Sequence, residues 1–139
     1  PVDLIEIDTQ SIIENAPTAE DYPNDDAIIL LNQFCHEITA EGKSRYTSHK
    51  IIKIFNQRGI QKHDDLAIPY NPNSQHITVN SARTILPNGT IVKPAEDAYN
   101  DVTPPGQLTF NLYSDGLWKV ISMEGYIYAC FESWCLHRV

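Results

Sequence analysis

The chain is short of three things that each mark a class of protein: basic residues, long apolar runs and cysteines. Of its 139 residues only 10 are Lys or Arg, against 18 Asp or Glu, and the formal net charge is -8. A protein that grips a nucleic-acid backbone needs a clustered positive surface. The charge balance therefore argues against nucleic acid as a partner.

The apolar runs in this sequence are short. None approaches the roughly 18 residues that a membrane-crossing helix needs, so we expect no membrane span. The first residues, from Pro1 onward, do not combine a positively charged segment with an apolar one, which is the pattern of a secretory signal. We therefore expect no signal peptide within this sequence.

The three cysteines are Cys35, Cys130 and Cys135. They are too few for the disulfide scaffold of a small secreted domain, and their odd number leaves at least one thiol outside any pairing within the chain. They do not indicate a redox compartment.

The clearest local pattern is the turn Pro87-Asn88-Gly89 between two runs rich in β-branched residues. Asn-Gly between such runs is the strongest short-range signal for a β-hairpin, because both residues tolerate the positive φ of a tight turn. It predicts a hairpin of residues 76–86 with residues 90–92.

Similar apolar, β-branched runs recur along the chain between Gly, Pro and Asn, which predicts an all-β fold. Besides the hairpin, the predicted strands are 27–38, 44–55, 66–68, 117–122 and 126–136. A turn at Glu41-Gly42 joins the first two, Arg58-Gly59 breaks the second, and Pro69 ends the third because proline has no N–H to donate. The Pro-rich segment 102–106 predicts a loop, and the helix candidate is residues 11–15.

These elements predict an antiparallel β-sandwich with little helix. Residues 1–21 are interpreted as an N-terminal arm and residues 22–139 as the sandwich. Strands that are apolar on both faces must be central or covered, which leaves room for a partner or for a homo-oligomer. The predicted core is Ile28, Leu30, Phe34, Ile52, Ile54, Ile77, Val79, Ile85, Trp118 and Val120.

Two groups of Cys and His residues are candidate sites. Cys35 and His36 are neighbours on a predicted strand, so they point to opposite faces and cannot pair as nucleophile and base. Cys135 and His137 would share a face, with Cys130 five residues before, but structural zinc sites use four ligands and turn-borne cysteine pairs at shorter spacing. Neither group predicts a site.

Acidic pairs and aromatic residues are the remaining candidates. The pairs Glu20-Asp21, Asp25-Asp26, Asp64-Asp65 and Glu96-Asp97 are interpreted as solvated or turn-forming, since acid–base chemistry needs carboxyls at a defined separation. The aromatic residues are interpreted mainly as core filling; they are Tyr113, Trp118, Tyr126, Tyr128, Phe131 and Trp134. We predict no catalytic, cofactor-binding or metal-ligating residue and no cofactor.

Several short motifs follow one another between residues 22 and 123. They are Tyr22-Pro23 with 26–31, then 49–59 (HKIIKIFNQRG), 68–71 (IPYN), 82–90 (ARTILPNGT), 100–106 (NDVTPPG), 113–115 and 118–122 (WKVIS). Each is a common structural motif, but in this order they resemble DUF3857, a domain of unknown function that precedes transglutaminase-like catalytic domains in many bacterial proteins.

The resemblance implies a β-sandwich accessory domain of exported or envelope proteins, with the chemistry in the domain that follows. No catalytic residue is carried over, because the three cysteines lack the small-residue and helix context of the family's nucleophile. After Met123 the sequence departs from the family pattern with Glu124-Gly125-Tyr126. There we expect a truncated or altered last strand.

The resemblance therefore implies a non-catalytic module for protein–protein contact or substrate presentation. Its expected partner is a transglutaminase-like domain or another protein, and its expected location is the periplasm, the cell envelope or the exterior. Two alternatives stay open. One is a carbohydrate- or surface-binding, adhesin-like domain that uses Trp118 or Trp134, and the other is a cysteine-dependent enzyme that uses Cys135 and His137.

Overall fold

The computed structural model describes residues 7–104 and 116–122, together with the backbone of residues 128–138. These residues form two antiparallel sheets, which confirms the predicted all-β fold. The strands are β1 Ala27–Ile38, β2 Ser44–Ile54, β3 Asp65–Tyr70, β4 Gln75–Val79, β5 Arg83–Ile85, β6 Ile91–Val92, β7 Tyr99–Val102, β8 Leu117–Ser122 and β9 Tyr128–Arg138.

The larger sheet has six strands in the order β1-β2-β9-β5-β6, and β4 also pairs with β9. Its first hairpin pairs Ala27 with Ile54 and Ile38 with Ser44, as predicted. The turn is closed by the Gly42 N–H, which donates to the Thr39 carbonyl over 2.9 Å. Gly42 has a φ of 78°, a conformation that favours glycine.

The predicted Asn-Gly hairpin is also present and pairs β5 with β6. The Gly89 N–H donates to the Leu86 carbonyl over 2.9 Å, and the Leu86 N–H donates to the Thr90 carbonyl over 2.8 Å. Gly89 carries the positive φ, at 83°. The first strand of this hairpin, predicted as residues 76–86, is divided into β4 and β5. Residues 80–82 separate the two, and each pairs separately with β9.

The smaller sheet has the order β3-β8-β7. The sequence predicts that Pro69 ends the strand, which is wrong. Pro69 lies inside β3, opposite Trp118. Since β3 is an edge strand of this sheet, it can hold a residue without an N–H. The strand β7 is a further correction to the prediction, because it includes Val102, for which the sequence predicts a loop.

The helices are short: α1 spans Thr9–Glu14, α2 spans Gln57–His63, and residues 96–98 form one 3₁₀ turn. The first matches the predicted candidate. Residues 58–59 do follow the end of β2, but the prediction missed that they continue as α2, whose first turn is capped by Asn56. In the described part of the chain no helix is long and apolar enough to cross a membrane.

The main core is a cluster of isoleucine side chains to which both sheets contribute. Ile52 and Ile54 of β2 meet Ile68 of β3 and Ile121 of β8, which has no exposed surface. The cluster therefore joins the two sheets into a sandwich. Each such side chain stabilises the fold by about 2 kcal/mol relative to an exposed one.

A second core lies on the other side of the larger sheet, where Ile51 and Ile85 pack against Ile12 and Ile13 of α1. Of the ten predicted core residues, Ile52, Ile54, Ile77 and Ile85 are buried. Phe34 is a wrong prediction, with 61% of its surface exposed. It lies on β1, which is an edge strand of the larger sheet as the described residues form it.

Gly59 of α2 lies so close to the start of β1 that no side chain fits. A Cβ atom there would lie 2.2 Å from the Asp26 carbonyl oxygen and 2.7 Å from Cγ2 of Ile54. Alanine normally stabilises a helix relative to glycine. We expect Gly59→Ala to destabilise the protein instead, by about 2 kcal/mol, because the added methyl group would displace the backbone at Asp26.

Urea unfolding measures this difference, with Gln61→Ala on the same helix as the control. Gln61 is exposed, so we expect its replacement to change the free energy of unfolding by less than about 0.5 kcal/mol. Equal effects of the two substitutions would contradict the close approach of Gly59 to Asp26.

Candidate functional site

The structure does not bring Cys35 and His36 together. They lie side by side in β1, opposite Thr47 and Tyr46 respectively. The His36 ring stacks on the Tyr46 ring with 3.9 Å between centroids, and the Phe34 ring contacts the same tyrosine. His36 is therefore part of an aromatic cluster on the larger sheet.

The second group of candidates lies mostly outside the described side chains. The backbones of Cys130, Cys135 and His137 lie in β9, opposite Ile51, Thr47 and Arg45. Their chemistry remains a prediction, as do the roles of Tyr113, Tyr126, Tyr128, Phe131 and Trp134, which also fall outside the described side chains. Among the described residues no three His, Cys, Asp or Glu side chains group as metal ligands.

One acidic residue departs from the predicted solvated role. Asp26 is only 14% exposed in its side chain, whereas its neighbour Asp25 is exposed. Its carboxylate accepts hydrogen bonds from Asn56 Nδ2 at 2.9 Å, Arg58 Nε at 3.0 Å and Lys62 Nζ at 2.7 Å. The bonds from Lys62 and Asn56 lower the pKa of Asp26 to about 2.

The surroundings of Asp26 form a structural junction. Its carbonyl accepts the Phe55 N–H over 2.8 Å, and the Phe55 ring stacks on Tyr22 with 6.4 Å between centroids. Asn56, in turn, caps α2 by accepting the Gly59 N–H. Because these contacts tie the chain just before β1 to the end of β2 and cap α2, we interpret the junction as architecture.

A second polar cluster lies on the smaller sheet. The Tyr70 hydroxyl of β3 donates to Asp101 Oδ1 of β7 over 2.8 Å. Lys119 of β8, the strand between them, places Nζ 3.0 Å from the same oxygen and 5.9 Å from the centre of the Tyr70 ring. The cluster spans all three strands and fixes the orientation of the tyrosine ring.

Electrostatics keep this cluster in one protonation state near neutral pH. Burial, followed by the hydrogen bond to Asp101 and the charge of that residue, raises the pKa of Tyr70. Burial alone would raise the pKa of Asp101, but the hydrogen bonds from Lys119 and Tyr70 outweigh it and lower that pKa. The carboxylate therefore stays charged, and the hydroxyl stays a donor.

An open cleft of about 420 Å³ adjoins Tyr70 at one end of the smaller sheet. This volume is in the usual range for small-ligand sites. Most of its lining residues are Tyr70, Trp118, Pro69, Pro104, Asn71 and Gln75. Sequence reasoning singled out Trp118 and missed the rest, because the lining residues come from segments far apart in the chain.

The amide side chains of the cleft are held by the loop between β3 and β4. The Asn71 N–H donates to Gln75 Oε1 over 2.7 Å, and the Asn73 N–H donates to Asn71 Oδ1 over 3.0 Å. The Gln75 N–H closes the loop on the Asn71 carbonyl at 2.7 Å. Both side chains are therefore held in position by the loop.

Comparison with known proteins agrees with this architecture. The family model of DUF3857, a domain of unknown function with a solved structure, matches residues 40–126. The crystal structure of a "putative protease" from Parabacteroides distasonis matches 82% of this chain with a TM-score of 0.75 and 20% identity. That likeness shows the fold, and the chain covers 23% of the other protein. No curated protein matches the chain.

The Asp26 junction predicts a pH dependence of stability. Because its pKa falls from 3.8 in the unfolded chain to about 2 in the folded one, its contribution is complete above about pH 4. It is lost as the pH falls through the folded value. We expect Asp26→Asn to destabilise the protein at neutral pH and to match the unchanged protein at about pH 2.

Urea unfolding across this pH range measures the effect. Asp25→Asn, at the exposed neighbouring position, is the matched control, for which we expect little change at any pH. A destabilisation by Asp26→Asn that stayed constant down to the lowest pH would contradict the role of the ionised carboxylate.

The tyrosine cluster makes a second prediction about stability. Tyr70→Phe removes the hydroxyl that donates to Asp101, so we expect a loss of about 1 kcal/mol in the free energy of unfolding. Tyr99→Phe, on β7 of the same sheet, is the control, and we expect it to be close to neutral. A larger loss of unfolding free energy for Tyr99→Phe than for Tyr70→Phe would contradict a stabilising role of the hydrogen bond between Tyr70 and Asp101.

Proposed function

Given that the chain belongs to DUF3857, a family of domains of unknown function, we propose that it is a non-catalytic accessory module of a larger enzyme system. In this role the domain contacts another protein or presents a substrate, and a separate catalytic domain does the chemistry. The proposed partner is a transglutaminase-like domain of the cysteine-protease type.

The observation that carries this proposal is the way the fold occurs in the P. distasonis protein. Most of this chain superposes on it, yet the matched part is 23% of that longer chain. The same fold therefore makes up about a quarter of that protein. A domain that accompanies a larger protein described as a protease fits an accessory role.

The distribution of side chains supports the same proposal. The Asp26 carboxylate is engaged by three donors of the junction, and Asp101 is engaged by Tyr70 and Lys119. Both carboxylates thus hold strands and a helix together. The cleft beside Tyr70 is lined by aromatic, proline and amide residues, which are residue types that occur in binding sites.

For location we propose the periplasm, the cell envelope or the exterior, as the resemblance to exported proteins implies. The acidic net charge of -8 suits a module that stays soluble beside its partner. Localisation of the tagged full-length gene product in fractionated cells tests this part of the proposal.

Reconstitution with a catalytic domain tests the function. A transglutaminase-like domain encoded in the same genome is purified separately and assayed on a peptide substrate with and without this protein. We expect a measurable complex and a lower KM with kcat unchanged, because a presenting module adds binding and no chemistry.

The control is this protein assayed alone for peptide hydrolysis and amine transfer. We expect no turnover. Turnover that is abolished by Cys35→Ser, Cys130→Ser or Cys135→Ser would replace the proposal with a cysteine-dependent enzyme. The absence of both association and any change in KM would also refute the proposal.

A further inference from the structure

We propose that the larger sheet carries a zinc site formed by His76 of β4 together with Cys135 and His137 of β9. The site lies on the face of this sheet that is turned away from the smaller sheet. It goes beyond the accessory role, which does not depend on it. Three features carry it: the pairing of β4 with β9, the two-residue spacing along β9, and the exposure of β4 on this face.

The pairing of the two strands places two histidines beside each other. In the antiparallel ladder of β4 with β9, His76 lies directly opposite His137. Residues opposite each other in such a ladder lie on the same face of the sheet, with Cβ atoms about 4.5–5.5 Å apart. A bond from zinc to an imidazole nitrogen is about 2.0–2.1 Å long. One ion is therefore within reach of both positions.

The spacing along β9 places a cysteine on the same face. Cys135 precedes His137 by two residues, and residues two apart on a strand share a face. It lies opposite Thr78, which makes it the diagonal neighbour of His76, about 7–8 Å away. The sequence predicts a shared face for Cys135 and His137, but it does not predict the third position, because His76 is far away in the chain.

The neighbouring residues of β4 identify the face. Ile77 is buried in the core between the two sheets. Because side chains alternate along a strand, His76 and Thr78 lie on the opposite face, away from the smaller sheet. Both are exposed, so an ion can approach this part of the face from solvent.

Two imidazoles and one thiolate are a donor set that favours zinc. Zinc takes nitrogen and sulfur ligands in tetrahedral geometry, whereas magnesium and calcium take oxygen ligands. Three protein ligands leave the fourth position of the ion to water. A site on an open face therefore does not need the four protein ligands of a closed structural site. The net charge of -8 also favours a cation.

The residues around the site are compatible with a cation. Arg45 of β2 lies opposite His137 on its other side. Its Nε donates to Glu37 Oε2 of β1 over 2.6 Å, so the positive charge beside the site is compensated. Cys130 lies outside the site, because it is five residues before Cys135 and more than about 10 Å away along β9.

Competition titration against a chromophoric zinc chelator tests the inference on the 139-residue protein with its thiols reduced. We expect one zinc ion per chain and no displacement of it by magnesium or calcium, which prefer oxygen ligands. His76→Gln and Cys135→Ser each remove one ligand. We expect each to weaken zinc binding at least about tenfold, since loss of even an outer partner of a metal ligand costs about tenfold to hundredfold.

Two matched variants make the same changes outside the site. His36→Gln replaces an exposed histidine on the face turned toward the smaller sheet. Cys35→Ser replaces a cysteine in the same row of the sheet as Cys135, but two strands away from it. We expect both variants to keep the zinc affinity of the unchanged protein.

Cobalt in place of zinc reports directly on the cysteine, because a bound thiolate gives a charge-transfer absorption band. We expect this band in the unchanged protein and in Cys35→Ser, and its loss in Cys135→Ser. Melting curves of the metal-free variants establish that each is folded. Because His76 is exposed, His76→Gln tests the site even where Cys135→Ser disturbs the sheet.

Three results would overturn the inference. The first is the absence of stoichiometric zinc binding. The second is equal weakening by His76→Gln and His36→Gln, or by Cys135→Ser and Cys35→Ser. The third is a cobalt spectrum that Cys135→Ser leaves unchanged. None of them bears on the accessory role, which the reconstitution with a catalytic domain tests separately.

Discussion

Burial of isoleucine side chains between the two sheets is the constraint on which the other features depend. Ile52 and Ile54 come from the larger sheet, while Ile68 and Ile121 come from the smaller one, and all four are at most 2% exposed. This contact fixes the smaller sheet over the larger. The Tyr70 cluster and the cleft lie at one end of the smaller sheet, so their geometry follows from this core.

The motifs that carry the family resemblance prove to be neighbours in space. Tyr22, Asp26 and the 55–59 segment meet at one junction, and Tyr70, Asp101 and Lys119 meet at another. Both junctions satisfy buried or half-buried polar groups, which are costly when left unpaired. The first clamps a helix to the larger sheet, whereas the second fixes a ring that borders the cleft. The motifs that carry the family resemblance are therefore residues that set the architecture.

Sequence patterns predicted the parts of the fold that local chemistry determines. The β1–β2 hairpin, the turn at Gly89 and the bounds of β8 follow from alternation and turn residues within a few positions. Helix α2 was missed because Gly59 is interpreted locally as a break, whereas the close approach to Asp26 explains why glycine is there. The exposure of Phe34 and the lining of the cleft depend on how strands distant in sequence pack, which periodicity does not encode.

The central proposal is that this domain is an accessory module that adds binding to a separate catalytic domain. Nuclear magnetic resonance spectra of the ¹⁵N-labelled protein, titrated with a purified transglutaminase-like domain from the same genome, test it most directly, because they report both whether the two proteins associate and where. The account predicts that signals of one continuous surface shift or broaden while signals of the buried core around Ile121 stay in place. No change at any ratio of the two proteins would contradict it.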